Sequence, residues 1–247
     1  MVRAITLSLL ILAILASPCL SLTGEEILRK VDANHQYKTV SYTGVMTIHV
    51  GDKVRTKHMK AQGVAGDETR AIVEFTNPED EGTKYLMVGD NLWIYFPEEQ
   101  DVIKISGHML KEGMMGSDVS YEDALEPDLL SGKYAITLEG EEEFDGHQCH
   151  VVKLEATVKD VPYYKRRMWI DKETFVGWKE EMYAKSGKLL KVGTVLETKL
   201  INGRHWPAIS EMVNKLRRNS RTVFEMTDVR LDKPMSEDMF TMRYLRR

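Results

Sequence analysis

Short segments with a period of two, separated by turn dipeptides, follow one another along most of this sequence and constrain its fold more than any other feature. In residues 42–50, Met46 and Ile48 share one face of such a segment. Turn pairs such as Asp145-Gly146 separate the segments. The pattern predicts a mainly β protein with about ten or eleven antiparallel strands at hairpin spacing. So many consecutive strands must curl into a barrel or split into a sandwich.

Helical material is predicted in only two places. Thr23 and Glu26 form a capping-box pair, which predicts a helix over residues 24–35. The second place is residues 107–131, where Ser117 and Asp118 are predicted to cap a helix.

Residues 1–21 have the features of a signal peptide: Arg3 precedes an apolar run that is too short to span a membrane comfortably. Cleavage after Ser21 leaves residues 22–247, which we interpret as one domain. In the alternative, Cys19 is lipidated and anchors the chain, although Pro18 fits a lipoprotein processing site poorly.

Charge and cysteine content narrow the class of protein. Without residues 1–21 the 34 basic residues lose only Arg3, which leaves 33 against 38 acidic residues. A mildly acidic chain has no basic field that suits nucleic acid. Cys149 is then the only cysteine, so the core must hold the fold without an intrachain disulfide.

Methionine and aromatic residues suggest a cavity inside the sheet. Several predicted strands carry them where a packed sheet prefers valine and isoleucine, as at Met168, Trp169, Met182 and Met226. The chain holds 14 methionines, more than ordinary core filling needs. Because methionine is flexible and polarizable, this composition predicts an internal apolar pocket.

The segment that follows the Leu92–Phe96 strand suggests a cover for such a pocket. Residues 107–116 combine three glycines with Met109, Leu110, Met114 and Met115. A soft, apolar segment of this kind suits covering variable hydrophobic cargo better than aligning a reaction.

These segments resemble the LolA/LolB-like periplasmic carrier family, specifically its outer membrane lipoprotein-sorting branch. The resemblance rests on the strands at 92–97 and 102–105, on Met115–Asp123, which is its most specific part, and on 169–174, 183–188 and 232–240. It covers essentially the whole chain after residue 21.

The resemblance implies an incomplete antiparallel β-barrel whose open concave side is covered by short helices and holds acyl chains. Residues 109–115 and a helix near 120–130 would form part of this cover. The implied function is a periplasmic carrier, without catalytic residues, metal or cofactor, for a lipid or lipidated protein. The implied partners are an RND-type inner-membrane exporter or an outer-membrane acceptor, and we expect a monomer. The predicted cavity and cover residues are Met46, Ile48, Phe75, Met87, Trp93, Tyr95, Met109, Leu110, Met114 and Met115.

Other interpretations stay open at this stage. A non-enzymatic envelope adaptor that docks on an exporter would have a filled core instead of a cavity. A hydrolase would need a nucleophile such as Ser117 beside a histidine, but no G-x-S-x-G motif occurs. Residues 147–150 resemble metal ligands only weakly, because His147 and His150 point to opposite faces of a strand. A last group of basic residues could contact anionic headgroups, a partner or only solvent: Lys215, Arg217, Arg218, Arg221, Arg243, Arg246 and Arg247.

Overall fold

A computed structural model describes residues 22–126, 130, 132–159 and 161–247 of the protein. Thirteen strands form one antiparallel sheet in the order β6-β5-β4-β3-β2-β1-β13-β12-β11-β10-β9-β8-β7, and the sheet is open because β6 and β7 do not pair with each other. The predicted signal peptide, Cys19 and residues 127–129 and 131 of the predicted second helical region lie outside the described residues.

The strands confirm the predicted mainly β class, but the predicted count of ten or eleven is too low. The strands are β1 Thr39–Val50, β2 Lys53–Val64, β3 Arg70–Phe75, β4 Lys84–Val88, β5 Asn91–Phe96, β6 Asp101–Ile105, β7 Tyr134–Phe144, β8 His147–Ala156, β9 Lys165–Asp171, β10 Gly177–Tyr183, β11 Leu189–Ile201, β12 Arg204–Asn214 and β13 Ser220–Leu231. Strands β4 and β6 are the shortest, with five residues each, and the strand expected at residues 102–105 is present as β6.

Three short helices accompany the sheet: α1 Gly24–His35, α2 Tyr121–Leu125 and α3 Met242–Leu245. The predicted capping box of α1 is present, because the backbone N–H of Thr23 donates to Glu26 Oε2 at 2.8 Å and that of Glu26 donates to Thr23 Oγ1 at 3.2 Å. Ser120, and not Ser117 or Asp118, caps α2. The cap prediction was therefore wrong for the second helix.

One face of the sheet, which we call the inner face, carries two separate covers. Helix α1 buries Ile27, Leu28 and Val31 completely or almost completely against strands β8 and β9. Residues 107–125, which we call the lid, pack on strands β1 to β6 instead. The lid consists of two 3₁₀ turns, Gly107–Lys111 and Met114–Gly116, followed by α2.

The opposite, outer face of strands β3 to β5 is covered by the end of the chain. Phe240 and Leu245 are buried there against Ile72 and Leu86. The inner face of this part of the sheet therefore remains available to the lid.

Candidate functional site

A cavity of about 570 Å³ lies on the inner face between α1 and the lid. Val31 and His35 of α1 contribute to one side of its wall, and Met114 and Leu125 of the lid to another. The central strands β1, β2, β12 and β13 provide most of the remaining wall. Its size falls within the range of small-molecule sites in proteins.

Methionine is the commonest residue type in the wall of the cavity. Half of the 14 methionines of the chain line it: Met46, Met59, Met87, Met114, Met168, Met212 and Met226. Thioether side chains adapt to irregular apolar ligands because they have several rotatable bonds and no branches. The predicted apolar pocket is therefore present.

Charged side chains also line the cavity, and two of them share one buried partner. Glu126 and Glu180 line the cavity and both pair with Arg166, whose Nη1 is 2.7 Å from Glu180 Oε1. Burial acts to lower the pKa of Arg166, but the two carboxylates outweigh it and raise that pKa, so the guanidinium stays charged. The indole N–H of Trp206, also in the wall, is buried without a partner among the described residues.

The predicted site residues divide into three groups. Met46, Met87 and Met114 line the cavity itself. Ile48, Phe75, Met109, Leu110 and Met115 lie beside it, in the apolar cluster between the lid and strands β1 to β6. Trp93 and Tyr95 belong to neither group, because they lie on the outer face with Phe240 and Leu245.

The prediction for Trp93 and Tyr95 failed because β5 is apolar on both faces. Leu92 and Ile94 occupy the inner positions and are 0% and 2% exposed. Alternation in Leu92–Phe96 fixes which residues share a face, but not which face points inward. Which face of β5 points inward becomes clear only from the folded chain, where α3 packs on the opposite face.

The tip of the lid is a tight loop. The Met114 N–H donates to the Val119 carbonyl at 2.8 Å, which closes residues 114–119. A Cβ on Gly113 would lie 2.1 Å from the Ser117 carbonyl oxygen, so only glycine fits there. Met115 has φ 53°, in the left-handed region, and its sulfur accepts from the Tyr85 hydroxyl at 3.0 Å.

A buried carboxylate anchors this loop to strand β13. Asp118 is 1% exposed and accepts hydrogen bonds from Ser220 Oγ at 2.7 and 2.9 Å and from Thr222 Oγ1 at 2.9 Å. Arg217 Nη1 donates to the carbonyls of Gly116 at 3.1 Å and of Ser117 at 2.8 Å. The loop is thus held by polar contacts on several sides.

A second polar anchor holds α2 against strand β11 and against the segment that precedes β9. Lys191 pairs with Asp123 and donates to Ser120 Oγ at 3.0 Å. The Tyr163 hydroxyl also bonds to Asp123, and burial together with that carboxylate raises the pKa of Tyr163. The sequence analysis did not predict the contacts of these anchors, of Asp118 or of Arg166.

The described residues contain neither a group of three or more metal-ligating side chains placed to hold an ion nor a helix long and apolar enough to span a membrane.

The fold is that of LolA-like proteins, as the resemblance predicted. A DUF1329 family protein from Desulfovibrio piger has a similar structure, with a TM-score of 0.84 and 26% identity over 90% of this chain and 97% of that one. A domain assigned as an outer membrane lipoprotein-sorting protein from Vibrio parahaemolyticus gives 0.80 and 26% over 91% and 98%. A LolA superfamily protein from Nitrosomonas europaea gives 0.74 at 23% identity over 91% and 100%, which is a likeness of fold alone.

A family model with the description "Uncharacterized protein" matches residues 67–247, and the chain belongs to that family. No curated protein matches the sequence.

Proposed function

We propose that this protein is a carrier that holds the acyl chains of a lipid or a lipidated protein in the cavity between α1 and the lid. The observation that carries this proposal is the methionine-lined cavity of about 570 Å³ on the inner face. The likeness to the lipoprotein-sorting domain from Vibrio parahaemolyticus supports it.

Burial of hydrocarbon supplies the binding free energy without any chemical step. Each methylene that moves from water into an apolar site gains about 0.8 kcal/mol, so one long acyl chain offers about 10 kcal/mol. A carrier therefore needs a dry wall and a cover, and both are built from side chains of the inner face and the lid. No catalytic residue is assigned.

We infer that the cargo passes between envelope membranes through the periplasm, as the signal-peptide-like N-terminus and the carrier family imply. The donor or acceptor would be an RND-type inner-membrane exporter or an outer-membrane acceptor. An adaptor without cargo is the competing proposal, and a carrier is favoured over it because the core is hollow.

The direct test is mass spectrometry of organic extracts from gently purified protein, in which a variant with a narrower cavity is compared with the parent chain. Gly193 lies in the cavity wall, and a Cβ there would contact only the methyl groups of Met182 and Met212 at 3.7 Å. Gly193→Leu should narrow the cavity and lower the amount of co-purified lipid several-fold, because leucine occupies space that acyl chains need.

Gly66→Leu is the matched control, since Gly66 lies in the exposed β2–β3 turn with open space around its Cα. It should retain the lipid content of the parent chain. Absence of lipid from the parent chain, or equal lipid in the Gly193→Leu protein, would reject the carrier and favour the adaptor.

A further inference from the structure

Three hairpin turns bring many cations to one end of the central strands. The β1–β2, β10–β11 and β12–β13 hairpins are neighbours in the strand order, and their turns lie at the same end of these strands. Residues 50–55, 184–188 and 214–221 contain eight basic residues and one acidic residue, Asp52. We call these three segments the basic edge. Its cations are Lys53, Arg55, Lys185, Lys188, Lys215, Arg217, Arg218 and Arg221.

Most of this charge is not neutralised within the protein. Arg221 pairs with Glu211 at 3.0 Å, and Arg217 lies 3.9 Å from Asp118. The other six cations are exposed and form no ion pair with the described residues. The chain as a whole has a net charge of −4, so this edge stands out against an acidic molecule.

Two large apolar side chains project from among these cations. Val54, between Lys53 and Arg55, is 57% exposed, and Leu216, between Lys215 and Arg217, is 55% exposed. An acidic protein surface would satisfy the cations but would leave these two side chains against polar groups. A bilayer accommodates the cations and the two apolar side chains, since lipid phosphates pair with the cations and the apolar side chains insert at the boundary of the acyl region.

The basic edge also touches the lid. Arg217 donates to the Gly116 and Ser117 carbonyls, and Arg55 Nη2 lies 2.7 Å from the position that a Cβ on Gly116 would occupy. Whatever surface binds these arginines therefore lies next to the loop that covers the cavity.

We propose that the basic edge docks the protein on the surface of a bilayer that contains anionic lipid, with Val54 and Leu216 inserted between the headgroups. This inference goes beyond carriage, because it concerns where the protein binds and holds whether or not the cavity is loaded.

Flotation with vesicles tests the docking surface. The protein should bind phosphatidylcholine vesicles that contain phosphatidylglycerol, should not bind vesicles of phosphatidylcholine alone, and should dissociate as salt is raised. In the triple variant Lys53→Gln, Lys215→Gln and Arg218→Gln we expect the affinity to fall about 100-fold, at about fivefold per charge removed.

Lys60→Gln, Lys199→Gln and Arg230→Gln form the matched control, because these exposed cations lie outside the basic edge and form no ion pair with the described residues. This protein has the same net charge and should bind like the parent. Equal affinity of the two triple variants, or equal binding to both kinds of vesicle, would overturn the docking surface.

A second pair of variants separates a bilayer from an acidic protein partner. Leu216→Ser leaves the net charge unchanged and should weaken vesicle binding several-fold, whereas Leu200→Ser, 67% exposed on β11, should not. Binding to polyglutamate without binding to phosphatidylglycerol vesicles would reject the bilayer. The lipid content of the extracts is measured separately, so failure of docking and failure of carriage are distinguishable.

Discussion

Asp118 is the buried carboxylate that connects the lid loop to strand β13. In Asp118→Asn, a donor NH₂ replaces one of two acceptor oxygens that receive hydrogen bonds from Ser220 and Thr222. A buried donor then lacks an acceptor, so we expect the free energy of unfolding to fall by about 1–3 kcal/mol. Urea unfolding measures this change, and hydrogen exchange should locate the loosened amides in residues 113–120.

Asp90→Asn makes the same chemical change at an exposed position of the β4–β5 turn. It should alter the free energy of unfolding by no more than about 0.5 kcal/mol. If the two variants unfold at the same urea concentration, Asp118 does not anchor the loop.

Sequence patterns identify some of these residues and miss others for a physical reason. The methionines at 46, 87 and 114 stand out because their residue type is unusual where they occur. Asp118 and Ser220 are 102 positions apart, and Asp123 and Lys191 are 68 apart. Local spacing rules connect neighbours along one helix or strand, so they cannot detect contacts that exist only after the sheet has curved.

At the scale of elements, the lid packs apolar side chains against the sheet and is held in place by polar contacts. Met114→Asp with Met115→Asp should abolish lipid binding, because it places two carboxylates over the proposed hydrocarbon site. Aspartate tolerates the left-handed backbone of Met115, so the loop itself can form. Binding of a fluorescent fatty acid measures the loss, and circular dichroism reports the fold.

Met242→Asp serves as the control for this double variant, since Met242 lies in α3 and is 37% exposed. It should bind the probe like the parent chain. Retained binding in the Met114/Met115 double variant would remove the lid from the site.

Elements that are determined by neighbouring residues in the sequence could be predicted. Features that depend on contacts between distant parts of the chain could not. The α1 helix follows from its capping box and from the apolar face of Ile27, Leu28 and Val31, and turns such as Asp145-Gly146 follow from their own residues. The inner face of β5 depends on α3, which lies about 150 residues later in the chain. Propensity and alternation carry no information about that contact.

At the scale of the whole molecule, the open sheet is a single surface with a hollow between two covers. Bound cargo stabilises only the folded chain, so lipid at 100 times its dissociation constant adds about 2.7 kcal/mol to the free energy of unfolding. For a chain of this size the melting temperature should rise by about 5 to 10 °C when delipidated protein is reloaded.

Thermal unfolding with and without added fatty acid checks this shift, and the Gly193→Leu protein should show a smaller shift because its cavity is narrower. A melting temperature that does not respond to lipid in the parent chain would contradict a cavity that binds acyl chains. The mainly β class and the hollow were predictable from composition and period, whereas the division of the inner face between α1 and the lid was not.

The seven methionines in the cavity wall make the polarity of this wall sensitive to oxidants. Peroxide converts methionine to its sulfoxide, which is polar and bulkier, and a few such events would turn a dry wall into one that prefers water. The proposed binding of hydrocarbon would therefore persist only where oxidants are scarce or where a reductase restores the sulfur.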